Sequence, residues 1–236
     1  MTGPSAADGA ARRSPGRQTR AQPASRFTPR ERAVLRAHRT PRHVQAYLSA
    51  LPYNWETAGR TLRTFRGVVR EGTANCIEAV LAAATMLGQY GDPPLIVDLE
   101  SQDGLDHELF VFQRHGRWGA VARSRDLGLH GRRPGFGTVH DLVMSYVDPY
   151  VDGSGRIVGY GLGDLDELVR GDWRLADHNV WQVERALYRM PHRRLRTSDQ
   201  RYTRMLKRFL AFRETGRPIT RRALRELYGP ATSDWW

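Results

Sequence analysis

Thr73-Ala74-Asn75-Cys76-Ile77-Glu78-Ala79-Val80-Leu81 places the one cysteine of this 236-residue chain at the start of an apolar helix. Ile77, Val80, Leu81, Ala84 and Leu87 recur at helical spacing, and Gly88 and Gly91 end the pattern, so a helix is predicted over 74–90 with Asn75 as its capping residue. Ala79, Ala82, Ala83 and Ala84 make that helix slim, which suits burial against a sheet. A thiol at a helix N-terminus feels the positive end of the helix dipole, which favours thiolate. The alternative is a buried cysteine that packs as a small hydrophobe.

Pro93-Pro94 break the chain after the helix. Leu95-Ile96-Val97-Asp98-Leu99 is apolar on both faces and reads as a central strand. A polar loop, Glu100 to Leu105, leads to Asp106-His107-Glu108-Leu109-Phe110-Val111-Phe112. Period two puts His107, Leu109 and Val111 on one face of this strand and Phe110 and Phe112 on the other. Asp103, Asp106 and Glu108 read as a solvated acidic edge. Gly116-Arg117-Trp118-Gly119-Ala120-Val121 opens the next strand.

Cysteine at a helix start, histidine heading a strand 31 residues later, then a Gly/Trp hairpin: over roughly residues 40–150 this order resembles the core of the transglutaminase-like, papain-fold cysteine enzymes. The resemblance implies an α+β fold with a helix packed on an antiparallel sheet. It implies Cys76 as nucleophile and His107 as base, with side chains about 3–5 Å apart. It also implies an aspartate a few residues after Trp118. There the chain departs from the family, reading Val121-Ala122-Arg123-Ser124-Arg125-Asp126 with Ala122 near the expected place. If the strand continues, Ser124 and Asp126 share the face of Ala122, and Asp126 is favoured to orient His107 for its charge. A dyad, Ser124 as third member and a degraded site stay open. Asn75 and Cys76 are the candidate oxyanion donors at the helix start, with Tyr53, Asn54 and Trp55 chemically able to assist.

The formal charge of +12 is uneven. Residues 1–39 carry nine Arg against two acids, and residues 185–236 carry 14 basic residues against four acids, so the segment between is mildly acidic. Thirty-six of the 37 basic residues are Arg, a bias that weakens charge as an argument for nucleic-acid binding. We divide the chain into a disordered basic leader (1–26), an α+β domain (27–184) and a basic helical C-terminal extension (185–236). Residues 1–26 hold almost no large apolar side chains. Thr28-Pro29 and Thr40-Pro41 each open a short helix, and Thr138 caps another. Residues 151–163 hold five Gly and read as turn and short strand, and Asp164 to Trp173 as a short acidic helix. Two amphipathic helices follow Thr197 and Thr220 and are expected to dock on the core.

One cysteine excludes an internal disulfide and suits a reducing, cytoplasmic setting. No stretch approaches the roughly 20 apolar residues of a membrane span, so no membrane partner is expected. CxxC, HExxH and phosphate-loop signatures are absent, so no cofactor and no metal is expected. With a single Cys, a zinc set would have to recruit carboxylates. The leading expectation is therefore a cysteine hydrolase or acyl-transfer enzyme acting on a peptide, amide or ester. The rival is an inactive papain-like module that binds nucleic acid or an acidic partner through its basic flanks.

Overall fold

The computed structural model describes residues 21–151 and 155–236 of the chain. Residues 1–20, most of the expected leader, lie outside the described residues. Its end is placed: Ala24–Arg26 form a 3-10 turn, and Arg26 pairs with Asp172 at 2.5 Å.

Helices α1 (Pro29–Ala37) and α2 (Pro41–Ala50) begin at Thr28 and Thr40, whose hydroxyls accept from Glu31 and His43 N–H. Helix α3 (Phe65–Glu71) leads to α4 (Cys76–Gly88), the helix read from the sequence. Then come strands β1 (Leu95–Ser101), β2 (His107–Arg114), β3 (Arg117–Val121) and β4 (Arg132–Phe136), helix α5 (Val139–Val147), strand β5 (Ile157–Asp164) and helix α6 (Leu165–Leu168). Helix α7 (Trp181–Arg189), the short strand β6 (Arg193–Arg194) and helices α8 (Asp199–Glu214) and α9 (Arg221–Tyr228) complete the order.

The strands form one antiparallel sheet in the order β4-β3-β2-β1-β5-β6, so the chain is α+β and β1 is interior, as its apolar composition requires. The sheet is buried on both faces. Ile96, Phe110, Phe112 and Val121 pack towards α2, α3 and α4; Val97, Leu99, Leu109, Val111 and Ala120 pack towards Leu142, Val143 and Tyr146 of α5. Ala79, Ala82, Ala83 and Ala84 are all fully buried, so α4 lies against the sheet with hardly any side-chain bulk between. The β2–β3 hairpin closes through His115 and Gly116, both at positive φ (51° and 73°), the turn that matches strand twist.

Three sequence readings need correction. Residues 157–164 form a full interior strand rather than a short one. Its glycines mask the apolar pattern because neighbours press on them: a Cβ at Gly161 would stand 2.6 Å from Met190 Cε and 3.1 Å from His192 Nε2. Gly161 pairs with Asp98, and the space it leaves lets His192 Nε2 reach Asp98 Oδ2 at 3.0 Å. The boundary at 185 falls inside α7, and β6 still pairs with the sheet through Gly159 and Tyr160, so the helical extension begins after β6. Finally, β3 ends at Val121. Gln45 of α2 takes both backbone groups of Ala122, donating to its carbonyl at 2.9 Å and accepting its N–H at 3.0 Å. Residues 122–126 therefore leave the sheet, and Ser124 and Asp126 do not continue a strand face.

The C-terminus is tied to the sheet edge through a buried cation. Arg132 of β4 is fully buried between the rings of Tyr146 (3.9 Å) and Trp235 (4.0 Å) and donates to the carbonyls of His130 and Gly128 at 2.6 and 2.7 Å. Trp236 Nε1 donates to Ala120 O at 2.9 Å.

Glu78, fully buried, organises the turn before α4. Its carboxylate accepts from Thr61 Oγ1 (2.7 Å), Asn54 Nδ2 (3.1 Å), Asn75 N–H (3.1 Å), and the Arg63 backbone N–H (3.0 Å), Nε and Nη2 (both 2.7 Å). Burial opposes ionisation, but the bonds from Arg63 and Thr61 outweigh it and hold the carboxyl below its usual range. Removing one partner of a buried pair leaves the other unpaired. Glu78→Ala should therefore lower the unfolding free energy in urea by about 3–5 kcal/mol, against about 1 kcal/mol for the cap variant Asn75→Ala. Because its folded pKa is depressed, the contribution of Glu78 is complete above the unfolded value of about 4.3 and fades as pH falls through the folded value. A Glu78→Ala loss below about 1 kcal/mol would show that the network does not hold the turn.

Candidate active site

The site begins at the first turn of α4. Asn75 caps it reciprocally: its side-chain oxygen accepts from Glu78 N–H at 3.0 Å, while its own N–H donates to the Glu78 carboxylate. Cys76 follows as the first helical residue, partly exposed, with its sulfur facing the N–H groups of Cys76 and Ile77. Ahead of the cap, residues 52–54 run beside Ala74, with Asn54 N–H donating to Ala74 O at 3.1 Å. That pairing brings Tyr53 to the thiol.

His107 heads β2, and a ring nitrogen of it, Cys76 Sγ and a carboxylate oxygen of Glu108 all lie within 4.8 Å of one another. His107 is buried (3% exposed) and its Nε2 lies 2.9 Å from Leu129 O. A carbonyl only accepts, so the bond fixes the ring proton on Nε2 and leaves the lone pair on Nδ1. Leu129 belongs to a 3-10 turn, Leu127–Leu129, in the segment that left the sheet after Ala122.

Ser124 and Asp126, the expected third members, do not orient His107. Ser124 Oγ accepts from Asp126 N–H at 3.2 Å, and the Ser124 carbonyl faces His130 Nε2 at 3.0 Å. Asp126 is half-exposed and pairs with Arg125. Both residues line the cleft with Cys76 and His107, yet the ring is held by a backbone carbonyl, a group that sequence letters do not reveal.

The candidate oxyanion donors also sort themselves. The N–H and side-chain oxygen of Asn75 are used in the cap, and its amide nitrogen lies 3.4 Å from Glu56 Oε1. The Asn54 amide donates to Thr61 and Glu78. Trp55 is 65% exposed at the cleft mouth, its ring 5.0 Å from that of Tyr53. Cys76 N–H and the Tyr53 hydroxyl remain beside the sulfur. Burial, then Cys76 and Glu108, push the Tyr53 hydroxyl up, so it keeps its proton and can donate.

Glu108 is buried and does not belong to the expected solvated acidic edge. It shares the face of Phe110 and Phe112, pairs across the strands with Asp98, and is 9% exposed. The period-two rule that grouped the two phenylalanines would have placed it there. Burial first, then the Asp98 charge, raise its carboxyl to about 8, and burial, then Asp106, raise Asp98 to about 6. The thiol is pushed well above its ordinary range by burial and then by Glu108; the N–H groups of Ile77 and Cys76 act the other way and lose. Burial lowers His107 to about 4. At neutral pH the site holds a neutral thiol and a neutral imidazole, not the thiolate that the helix dipole alone suggests.

A cleft of about 500 Å³ opens over Cys76 and His107. Tyr53, Trp55, Leu105 and the 124–129 segment form one side; Phe209 and Arg213 of α8 and Leu224, Leu227 and Tyr228 of α9 form the other. The C-terminal helices thus dock by their apolar faces, with Leu224 beside Gly128. No helix among the described residues is long and apolar enough to cross a membrane. No protein-family model matches the chain, and no curated protein matches its sequence.

Since Leu129 O holds the ring, Asp126→Ala and Ser124→Ala should leave the rate of Cys76 alkylation by iodoacetamide and any turnover at the wild-type level. A loss of turnover in Asp126→Ala without a loss of stability would return the orienting role to that carboxylate.

Proposed function

We propose that the chain is a transglutaminase-like, papain-fold cysteine hydrolase or acyl-transfer enzyme acting on an amide or ester bond. One observation carries the reading: a sulfur at a helix N-terminus and an imidazole whose free lone pair is fixed by Leu129 O meet at the floor of a cleft. With thiol and imidazole both neutral, attack is general-base catalysed. Cys76 Sγ bonds to the carbonyl carbon as His107 Nδ1 takes the thiol proton. Cys76 N–H and the Tyr53 hydroxyl donate to the oxyanion. As the tetrahedral intermediate collapses, the carbon–nitrogen or carbon–oxygen bond breaks and the imidazolium returns its proton to the leaving group. His107 then deprotonates water as it attacks the thioester carbon; the carbon–sulfur bond breaks, the acid leaves, and the proton held on His107 returns to the sulfur. An amine in place of water gives transfer. Water is the simpler acceptor, and we favour hydrolysis.

Ala122 stands near the place where the family carries its aspartate, and the Leu129 carbonyl fills the orienting role in this reading. A carbonyl lacks the full charge of a carboxylate, so it orients the ring but stabilises the imidazolium less.

The test is a panel of activated esters and peptidyl amides, with intact mass read after rapid quench. An acyl adduct on Cys76 and a pre-steady-state burst are expected. Cys76→Ala should abolish both, and Tyr53→Phe should lower kcat by about 10²-fold, the usual cost of one oxyanion donor. Wild type that forms no adduct and turns over no faster than Cys76→Ala sinks the enzymatic reading and leaves the binding module.

A further inference from the structure

Three donor atoms of different chemistry converge at the head of α4. Cys76 Sγ, a His107 ring nitrogen and a Glu108 carboxylate oxygen lie within 4.8 Å of one another. The hydrolase reading uses two of them and gives Glu108 no task. Yet Glu108 is more than nine-tenths buried, and its Oε2 has no hydrogen-bond partner. An unsatisfied buried carboxylate oxygen is costly, and native proteins keep such groups where something else meets them. Its cross-strand partner Asp98 is in the same condition: Oδ2 faces His192, and Oδ1 is unpartnered.

We propose that Cys76, His107 and Glu108 form a three-ligand site for a zinc-like divalent cation. The donor set decides the class of ion. One thiolate, one imidazole and one carboxylate suit Zn²⁺ or Co²⁺; Mg²⁺ and Ca²⁺ take oxygen donors. The imidazole is already prepared. Its Nε2–H is held by Leu129 O, which leaves Nδ1 as the ligating lone pair and fixes the ring plane, the usual way a ligating histidine is oriented. Charge also balances. Binding displaces the protons of Cys76 and Glu108 to solvent, and the resulting thiolate and carboxylate neutralise the 2+ ion, so no net charge is buried. Tetrahedral ligation at about 2.0–2.3 Å sets donors about 3.3–3.7 Å apart, so the trio closes by about 1 Å through side-chain rotation. Cys76 and His107 line the cleft, so the fourth position opens there and is left for water or a ligand. Occupation engages the sulfur lone pair and the imidazole lone pair together, so the bound ion silences the thiol. The site itself does not rest on the hydrolase reading.

The experiment is a Co²⁺ titration of the full chain after chelator treatment, followed by absorption. One Co²⁺ per chain is expected, with a near-ultraviolet sulfur-to-cobalt charge-transfer band and the visible bands of a tetrahedral ion. Cys76→Ser should remove the charge-transfer band. Glu108→Gln, nearly isosteric, should weaken binding by more than the about 10- to 100-fold that loss of a merely orienting partner costs. Circular dichroism checks that both variants fold. In the unaltered chain, Zn²⁺ but not Mg²⁺ should protect Cys76 from iodoacetamide. Absence of the charge-transfer band together with absence of protection overturns the site. Wild-type affinity in Glu108→Gln also overturns it, since thiol and imidazole would then bind alone. The two readings fail separately: a cobalt band in a chain that hydrolyses nothing keeps the site and loses the enzyme, and hydrolysis without the band does the reverse.

Discussion

Everything at the head of α4 depends on one buried carboxylate. Glu78 accepts from Asn54, Thr61, Arg63 and the Asn75 backbone, and so binds the segment 54–63 to the turn that presents Cys76. A helix needs only a cap to begin, and Asn75 provides one. What a cap does not fix is the chain that arrives. The Glu78 network fixes that chain, and with it Tyr53 beside the sulfur and Trp55 at the cleft mouth. Charge is essential to the device. Neutral Gln at 78 accepts through one oxygen only, and the Arg63 guanidinium, 13% exposed, would face it without a counter-charge.

Much of this was legible in the residues. The apolar periodicity of 77–87, the prolines at 93 and 94, and the alternation of Leu109, Phe110, Val111 and Phe112 each report a local preference that the fold keeps. Caps at Thr28, Thr40, Asn75 and Thr138 are equally local and sit where expected. Glu108 was legible by the same alternation. Three acids in six residues suggest a solvated edge, but the pleat turns Glu108 inward, away from the loop that holds Asp103. The interior strand β5 was hidden for another reason. Its glycines record the close approach of Met190 and His192, residues about 30 positions away, and no local pattern encodes such a neighbour.

The third position of the site was beyond the residue letters. Extrapolating β3 to Asp126 assumed that the strand continued, but Gln45, 77 residues earlier, takes the backbone groups of Ala122 and ends the ladder. The released segment curls into the turn at 127–129 and offers a backbone carbonyl to the imidazole. Any residue type at 129 carries that carbonyl, so side-chain chemistry at 122, 124 or 126 is a poor guide to whether this histidine is oriented. The far wall of the cleft was half legible. The amphipathic character of 199–228 announced docking, but the docking place is set by the anchors at Arg132, Trp235 and Trp236.

The electrostatics of the site follow from its position on the sheet. His107 and Glu108 are consecutive in β2 and belong to opposite faces, one with Leu109 and Tyr146, the other with Phe110 and Asp98. Only at the first residues of a strand, where the pleat is not flanked on both sides, can both reach one sulfur. The price of that convergence is desolvation on three groups at once: the thiol and the carboxyl rise, and the imidazole falls. Each shift favours the neutral form, so the resting site stores no ion pair. Its chemistry must then be set in motion by what enters the cleft. In the proposed hydrolysis an electrophilic carbonyl would draw the thiol proton onto His107 as the new bond forms, and at the proposed cation site a divalent ion would drive that proton to solvent. Glu108, neutral at rest, would separate the two proposals, because its ionisation beside the sulfur would oppose an anionic nucleophile and favour a cation.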